Sequence, residues 1–207
     1  MAGTIALIGA PSDVGAGARG ASMGPEALRV AQLQPMLEAQ GLEAVDRGNL
    51  AGPPNPWQPP VNGYRHLPEV IEWNRLVHEA VLEELAAGRL PMLLGGDHSL
   101  AIGSISAAAR HCRDTGRKLR VLWFDAHADF NTHVLTPSGN VHGMPAACLC
   151  GHGPSDLVSI GGQVPAINPA QLRQIGIRSV DAGEKRFVHE VGIEVFDMRY
   201  IDEMGMR

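Results

Sequence analysis

Val121-Leu122-Trp123-Phe124-Asp125-Ala126-His127-Ala128-Asp129 is an apolar run that ends abruptly in three side chains able to bind a metal. The run Val121 to Phe124 reads as a buried strand. In an extended backbone alternate side chains share a face. That spacing puts Asp125, His127 and Asp129 on one side and the two alanines on the other. Two carboxylates at the end of a buried strand need a cation or a hydrogen-bond network to hold them. The end of a parallel strand is also where open α/β sheets bind ligands.

Outward from this stretch the chain alternates strands and helices. Strands are expected at Thr4 to Ile8, Leu42 to Asp46, Leu90 to Leu94, Leu119 to Asp125, Leu172 to Val180 and Ile193 to Met198. Helices are expected at Glu26 to Glu38, bent or shortened by Pro35, and at Pro68 to Ala87, capped by Gly88. Others are expected at Ser99 to Cys112, near Gly143-Met144-Pro145, at Glu184 to Glu190 and from Arg199 onward. Gly48 to Gly63, with five prolines, reads as an extended surface loop, and Gly15 to Gly20 as a flexible one. Such alternation indicates a parallel α/β sheet. The glycine loop lacks the Lys-Ser/Thr ending of a phosphate-binding loop, and its glycines do not match the dinucleotide fingerprint.

Composition sets outer limits. The 207 residues carry 44% hydrophobic and 19% charged residues, a globular balance large enough for one core. The net charge of −5 shows no basic patch and argues against nucleic acid. No secretory signal or apolar run of membrane-spanning length is present, so no membrane association is expected. Cys112, Cys148 and Cys150 are odd in number and unsuited to a zinc knuckle. They read as small buried or neutral residues of a reduced, cytoplasmic protein.

A second strand end adds to the first. Leu90 to Leu94 runs into Gly95-Gly96-Asp97-His98-Ser99. Alone, His98 reads as a surface or capping residue, and the Asp125-His127-Asp129 triplet is compatible with a hydrogen-bond network. Together at neighbouring strand ends they give two imidazoles, two carboxylates and no thiolate. That set suits manganese, with zinc, cobalt or iron as competitors. A bridging carboxylate would allow two ions, which together lower the pKa of a shared water.

Gly95-Gly96-Asp97-His98-Ser99 and Asp125-Ala126-His127-Ala128-Asp129 resemble two metal motifs of the ureohydrolases, the family of arginases, agmatinases and formiminoglutamases. Asn131 to Pro145, the glycine loop Gly9 to Pro25 and Val180-Asp181-Ala182-Gly183-Glu184 look like arginase in particular, and the resemblance spans essentially the whole chain. It implies a three-layer αβα fold with a parallel sheet, and hydrolysis of L-arginine to L-ornithine and urea. Two manganese ions would be held in the complete site, with His98, Asp125 and Asp129 on one and His127 on the other. By the same resemblance Asn131 and Ser138 contact the substrate α-carboxylate, and Asp181 and, more weakly, Glu184 its α-amino group. His142 would move protons to the leaving amine. His133 receives no role and reads as a solvent-facing loop residue.

The family's third metal motif, of the type Ser-Phe-Asp-Val-Asp-x-x-Asp-Pro, does not occur in these residues. Its absence implies a single ureohydrolase domain, 1–207, incomplete at the C-terminus. In the family the last two strands lie centrally, between those matching the third and fourth here, and C-terminal helices follow. The expectation is therefore a truncated arginase, impaired or inactive alone, whose full-length relatives form trimers or hexamers. Another amidinohydrolase such as agmatinase, or a non-catalytic metal-binding remnant or partner subunit, remains the alternative.

Overall fold

The structure, a computed structural model, describes residues 3–205. Its strands are β1 (Ile5–Gly9), β2 (Ala44–Asn49), β3 (Leu90–Leu94), β4 (Val121–Phe124), β5 (Leu172–Ile177) and β6 (Glu194–Asp197). Its helices are α1 (Gly24–Val30), α2 (Leu33–Ala39), α3 (Leu67–Ala86), α4 (Ala101–Asp114), α5 (Pro145–Leu149), α6 (Ser155–Val158), α7 (Ala182–Val191) and α8 (Met198–Met204). All strand pairs are parallel, in two sheets of order β2-β1-β3 and β4-β5-β6. The expected gap falls between β3 and β4, so their facing edges carry no ladder hydrogen bonds to each other.

The first sheet is covered on both sides. Ile5 and Leu7 of β1 pack with Leu33 and Leu37 of α2. Ile8, on the opposite face, joins Val70, Trp73, Val77 and Val81 of α3. The alternation along β1 thus feeds two helical layers, as a doubly covered parallel strand requires. α4 joins the halves: Ile102 and Ala107 enter the first core, while Ala109 packs with Val121, Trp123 and Leu172 in the second.

The second sheet corrects the reading of Val121 to Phe124 as buried throughout. Val121 and Trp123 are buried, but Leu122 is 57% and Phe124 65% exposed. One face packs on α4, α5 and α7, and the described residues place no layer over the other.

Other differences have local causes. The helix expected from Glu26 to Glu38 is two helices, broken where Gln32 takes φ 63°. Pro35 then lies in the first turn of α2, where its missing N–H costs nothing. β2 sits later than expected, at Ala44–Asn49. β5 stops at Ile177 rather than Val180, beside Gly176 at φ 87° and a shift in register. The Gly15 loop is not uniformly flexible: Val14 and Ala16 are buried and only its later residues are exposed.

Candidate metal centre

β3 and β4 deliver their ligands by different means. After β3 the chain enters a 3-10 turn, His98–Leu100, whose cap Asp97 accepts a hydrogen bond from Ser99 N at 2.9 Å. Asp97 also accepts from Gly15 N at 2.9 Å, tying the glycine loop beneath the turn. Burial pushes the Asp97 carboxyl up, against the pull of these hydrogen bonds. The fit is close, because a Cβ on Gly15 would lie 2.6 Å from Ser99 Oγ.

β4 ends at Phe124, so the alternation assumed from Asp125 to Asp129 does not hold: those residues form a bend beyond the strand. Asp129 has φ 48°, a left-handed conformation uncommon outside glycine. That turn brings the Asp129 carboxylate back beside Asp125. His98 Nδ1 lies 2.9 Å from Asp125 Oδ2 and 2.7 Å from Asp129 Oδ2. One ligand atom of each residue lies within 4.8 Å of the others. The His98 ring stacks on Trp123, centroids 4.3 Å apart. Burial pulls the His98 imidazole down, but Asp129 and then Asp125 more than offset it, so its pKa is raised. A cation held by these three atoms would do what the imidazolium proton does otherwise, neutralising two close carboxylates. The nitrogen and oxygen donor set fits a divalent ion of the first transition row.

His127 stands outside this cluster, its Nδ1 3.4 Å from Asp125 Oδ1, with 61% of its side chain exposed. It still lines the same cavity of about 360 Å³, together with His98, Asp125 and Asp129. Asn131, His142, Asp181 and Glu184 share that wall. Asn131 donates to Asp181 Oδ2 at 3.4 Å, and its own Oδ1 is buried without a partner. Asp181 caps α7, while Glu184 in the first turn accepts from Phe130 N at 2.8 Å and Asp181 N at 3.4 Å. Burial pushes the Glu184 carboxyl up. His142 is held through its backbone, which donates to Gly15 O at 3.1 Å.

Ser138 does not join them. It lies outside the cavity wall, and its Oγ accepts from Asn140 N at 3.2 Å within its own loop. His133 is exposed in its loop as expected, with its ring stacked on Tyr64 and its Nδ1 2.9 Å from Tyr64 Oη. Asp97 and Gly15, which belong to the two quoted motifs without being candidate ligands, position His98 and His142. The signal for them was the glycine run itself, since a backbone without a Cβ suits close approach. Cys148 and Cys150 are buried free thiols, both pushed up to about 12, and neither reaches the centre.

Fold and site define a parallel α/β protein with a His–carboxylate metal-type centre at its strand ends. The chain belongs to the Arginase family, whose sequence model matches residues 3–207. It is 39% identical over 202 residues to an arginase of Brevibacillus brevis, covering 98% of this chain and 66% of that protein. With an arginase of Bacillus caldovelox it shares 40% identity over 204 residues, covering 98% and 67%. The native crystal structure of the Bacillus caldovelox arginase superposes with a TM-score of 0.91, over 99% of this chain and 68% of that one. That of Bacillus subtilis arginase gives 0.89 at 38% identity, over 98% and 67%. The chain thus spans about two thirds of the length of the curated relatives it matches.

Proposed function

We propose that this sequence belongs to a manganese-dependent arginase that hydrolyses L-arginine to L-ornithine and urea, and that these 207 residues alone are impaired in that reaction. The observation that carries the proposal is the cavity where His98, Asp125 and Asp129 converge beside Asn131, His142 and Asp181. His98, Asp125 and Asp129 would hold one ion, and His127 would contribute to a second. The bound metal supplies a water made acidic enough to act as hydroxide at neutral pH.

The chain's own groups bind and orient the substrate. A guanidinium pointing at the carboxylates leaves the amino-acid end of arginine near Asn131 and Asp181. Asp181 suits the α-ammonium, and the Asn131 amide suits the α-carboxylate. Ser138 would have to leave its contact with Asn140 N to take part. His142 lines the same wall, and would carry a proton to the leaving amine. His98, Asp125 and Asp129 offer three ligands to the first ion, whereas His127 alone stands at the second position, which supports weak retention of the second ion and weak turnover. Two buried free thiols support a reducing, cytoplasmic setting, and among the described residues no helix is long and apolar enough to cross a membrane.

Urea release from arginine, agmatine and guanidinobutyrate with added manganese tests this. The expected result is a preference for arginine at a rate far below that of a complete relative. Ordinary arginase rates would overturn the impairment, and an agmatine preference would overturn the roles of Asn131 and Ser138.

A further inference from the structure

At the amino ends of β4 and β5, opposite the His98 centre, lies a second cavity of about 420 Å³. Arg113, Arg117, Lys118 and Arg120 line it, and among the described residues no carboxylate does. Elsewhere several arginines are compensated: Arg29 pairs with Glu26 and Asp46, Arg47 and Arg89 with Glu84, and Arg173 with Glu194, while Arg19, Arg65, Arg75, Arg178 and Arg186 are scattered singly without an ion pair among the described residues. None of the four pocket cations makes an ion pair among the described residues. Four like charges around one concavity, in a chain of net charge −5, run against the overall balance. A chain-wide charge count hides them, because they fall within one short run from the last turn of α4 to the start of β4.

The pocket is built from ordered parts. Arg113 donates to Gly161 O at 3.0 Å and Ala166 O at 3.3 Å, pinning the far wall to the end of α4. Gln171 Nε2 donates to Leu119 O at 3.2 Å, fixing the connector to the start of β5. Arg117, Lys118 and Arg120 are left exposed along the rim with donors to offer. A concave wall of one charge focuses the field on whatever enters it.

We infer that this cavity binds a compact phosphate-bearing anion. Guanidinium forks match phosphate oxygens two at a time, and a lysine adds a point charge. A phosphate can be shared among several such cations, which a monocarboxylate does less well. Ala109, Leu119 and Pro165 with Gln163 and Asn168 give the rest of the wall room for a small organic body. The site is independent of the arginase reading, since none of its residues lines the metal centre.

Calorimetric titration of the 207-residue chain tests it, with inorganic phosphate and ribose 5-phosphate as probes in low-salt buffer containing EDTA. Saturable one-site binding is expected, weakened by about tenfold per arginine in Arg117→Gln and Arg120→Gln. Arg117→Lys keeps the charge but loses the fork, and should fall between. Tighter binding of the ester than of inorganic phosphate assigns a phosphate ester, and equal binding assigns the free anion. These exposed substitutions should leave the circular dichroism spectrum unchanged; for a variant that unfolds, amide shifts of residues 113–120 in the unmodified chain locate the site instead. Heat that does not saturate, saturable binding indifferent to the substitutions, or shifts confined elsewhere would overturn the proposal. Tighter binding of an oligoribonucleotide through the same residues would overturn it in favour of a nucleic-acid backbone.

Discussion

Asp97 holds more of the site than its absence from the ligand set suggests. Its buried carboxylate takes the backbone N–H groups of Ser99 and Gly15, and Gly15 O in turn takes His142 N. Asp97→Ala strands two buried donors, at a cost of about 1–3 kcal/mol each. We expect the melting temperature to fall by roughly 4–8 °C for about 2 kcal/mol, with weaker manganese binding in titration. An unchanged melting curve would show that the loop stays in place without Asp97. His78 gives a different signature. It is buried on α3, and burial, then the charge of Arg110, hold its imidazole below the ordinary histidine value. The fold therefore favours the neutral ring. Its contribution is complete above about pH 6.5, where the unfolded chain is also neutral. Below that the unfolded chain takes the proton first, and stability falls until the lowered folded value is reached. Urea denaturation between pH 7.5 and 5.5 should show this loss, at up to about 1.4 kcal/mol per pH unit. His78→Gln should flatten the difference, and parallel curves for the two proteins would remove His78 as its source.

Elements show where the sequence was readable. β3 lies at Leu90–Leu94 as expected, because Gly88 before it and Gly95-Gly96 after it punctuate an apolar run. His98 and the aspartates were visible for the same reason, as polar groups abruptly ending such runs. The break at Gln32 was not, since a left-handed glutamine leaves no compositional mark. Nor was Asp129's positive φ: a fully extended backbone puts Asp125, His127 and Asp129 on one face, whereas the bend gathers Asp125 and Asp129 at His98 and leaves His127 aside. Ser138 resembled a site residue by position, but its loop turns the hydroxyl onto Asn140. Full burial of β4 cannot be told from half burial in sequence, because Val-Leu-Trp-Phe looks alike whether one face is covered or both. The uncovered pair can be tested directly. Leu122→Thr with Phe124→Thr keeps β-branched or strand-compatible residues while removing exposed apolar surface. We expect stability to change by no more than about 0.5 kcal/mol, and light scattering on heating to begin at a higher temperature. Loss of folding in this double variant would mean that the face is packed in solution.

At the scale of the molecule, two sheets meet without sharing a hydrogen-bonded strand edge, and α4 supplies apolar contacts to both cores. The metal-type cluster crosses the same divide. His98 follows the edge strand of one sheet, while Asp125 and Asp129 follow the edge strand of the other. A bound cation would therefore act as a clamp between halves as well as a reagent. Any ion that binds the folded form alone stabilises it by RT ln(1 + [L]/Kd), about 2.7 kcal/mol at a hundredfold excess over Kd. For a chain of this size that is a rise of roughly 5–11 °C in melting temperature. EDTA should reverse it. Asp125→Asn with Asp129→Asn should abolish it while leaving the fold, because amides keep the shape and give up the charge. Hydrogen exchange adds the geometric half of the argument. Manganese should slow exchange at 98–101 and at 125–131 together, since the ion joins segments that no strand ladder connects. Protection confined to one of the two segments would mean that the ion sits on one half and clamps nothing.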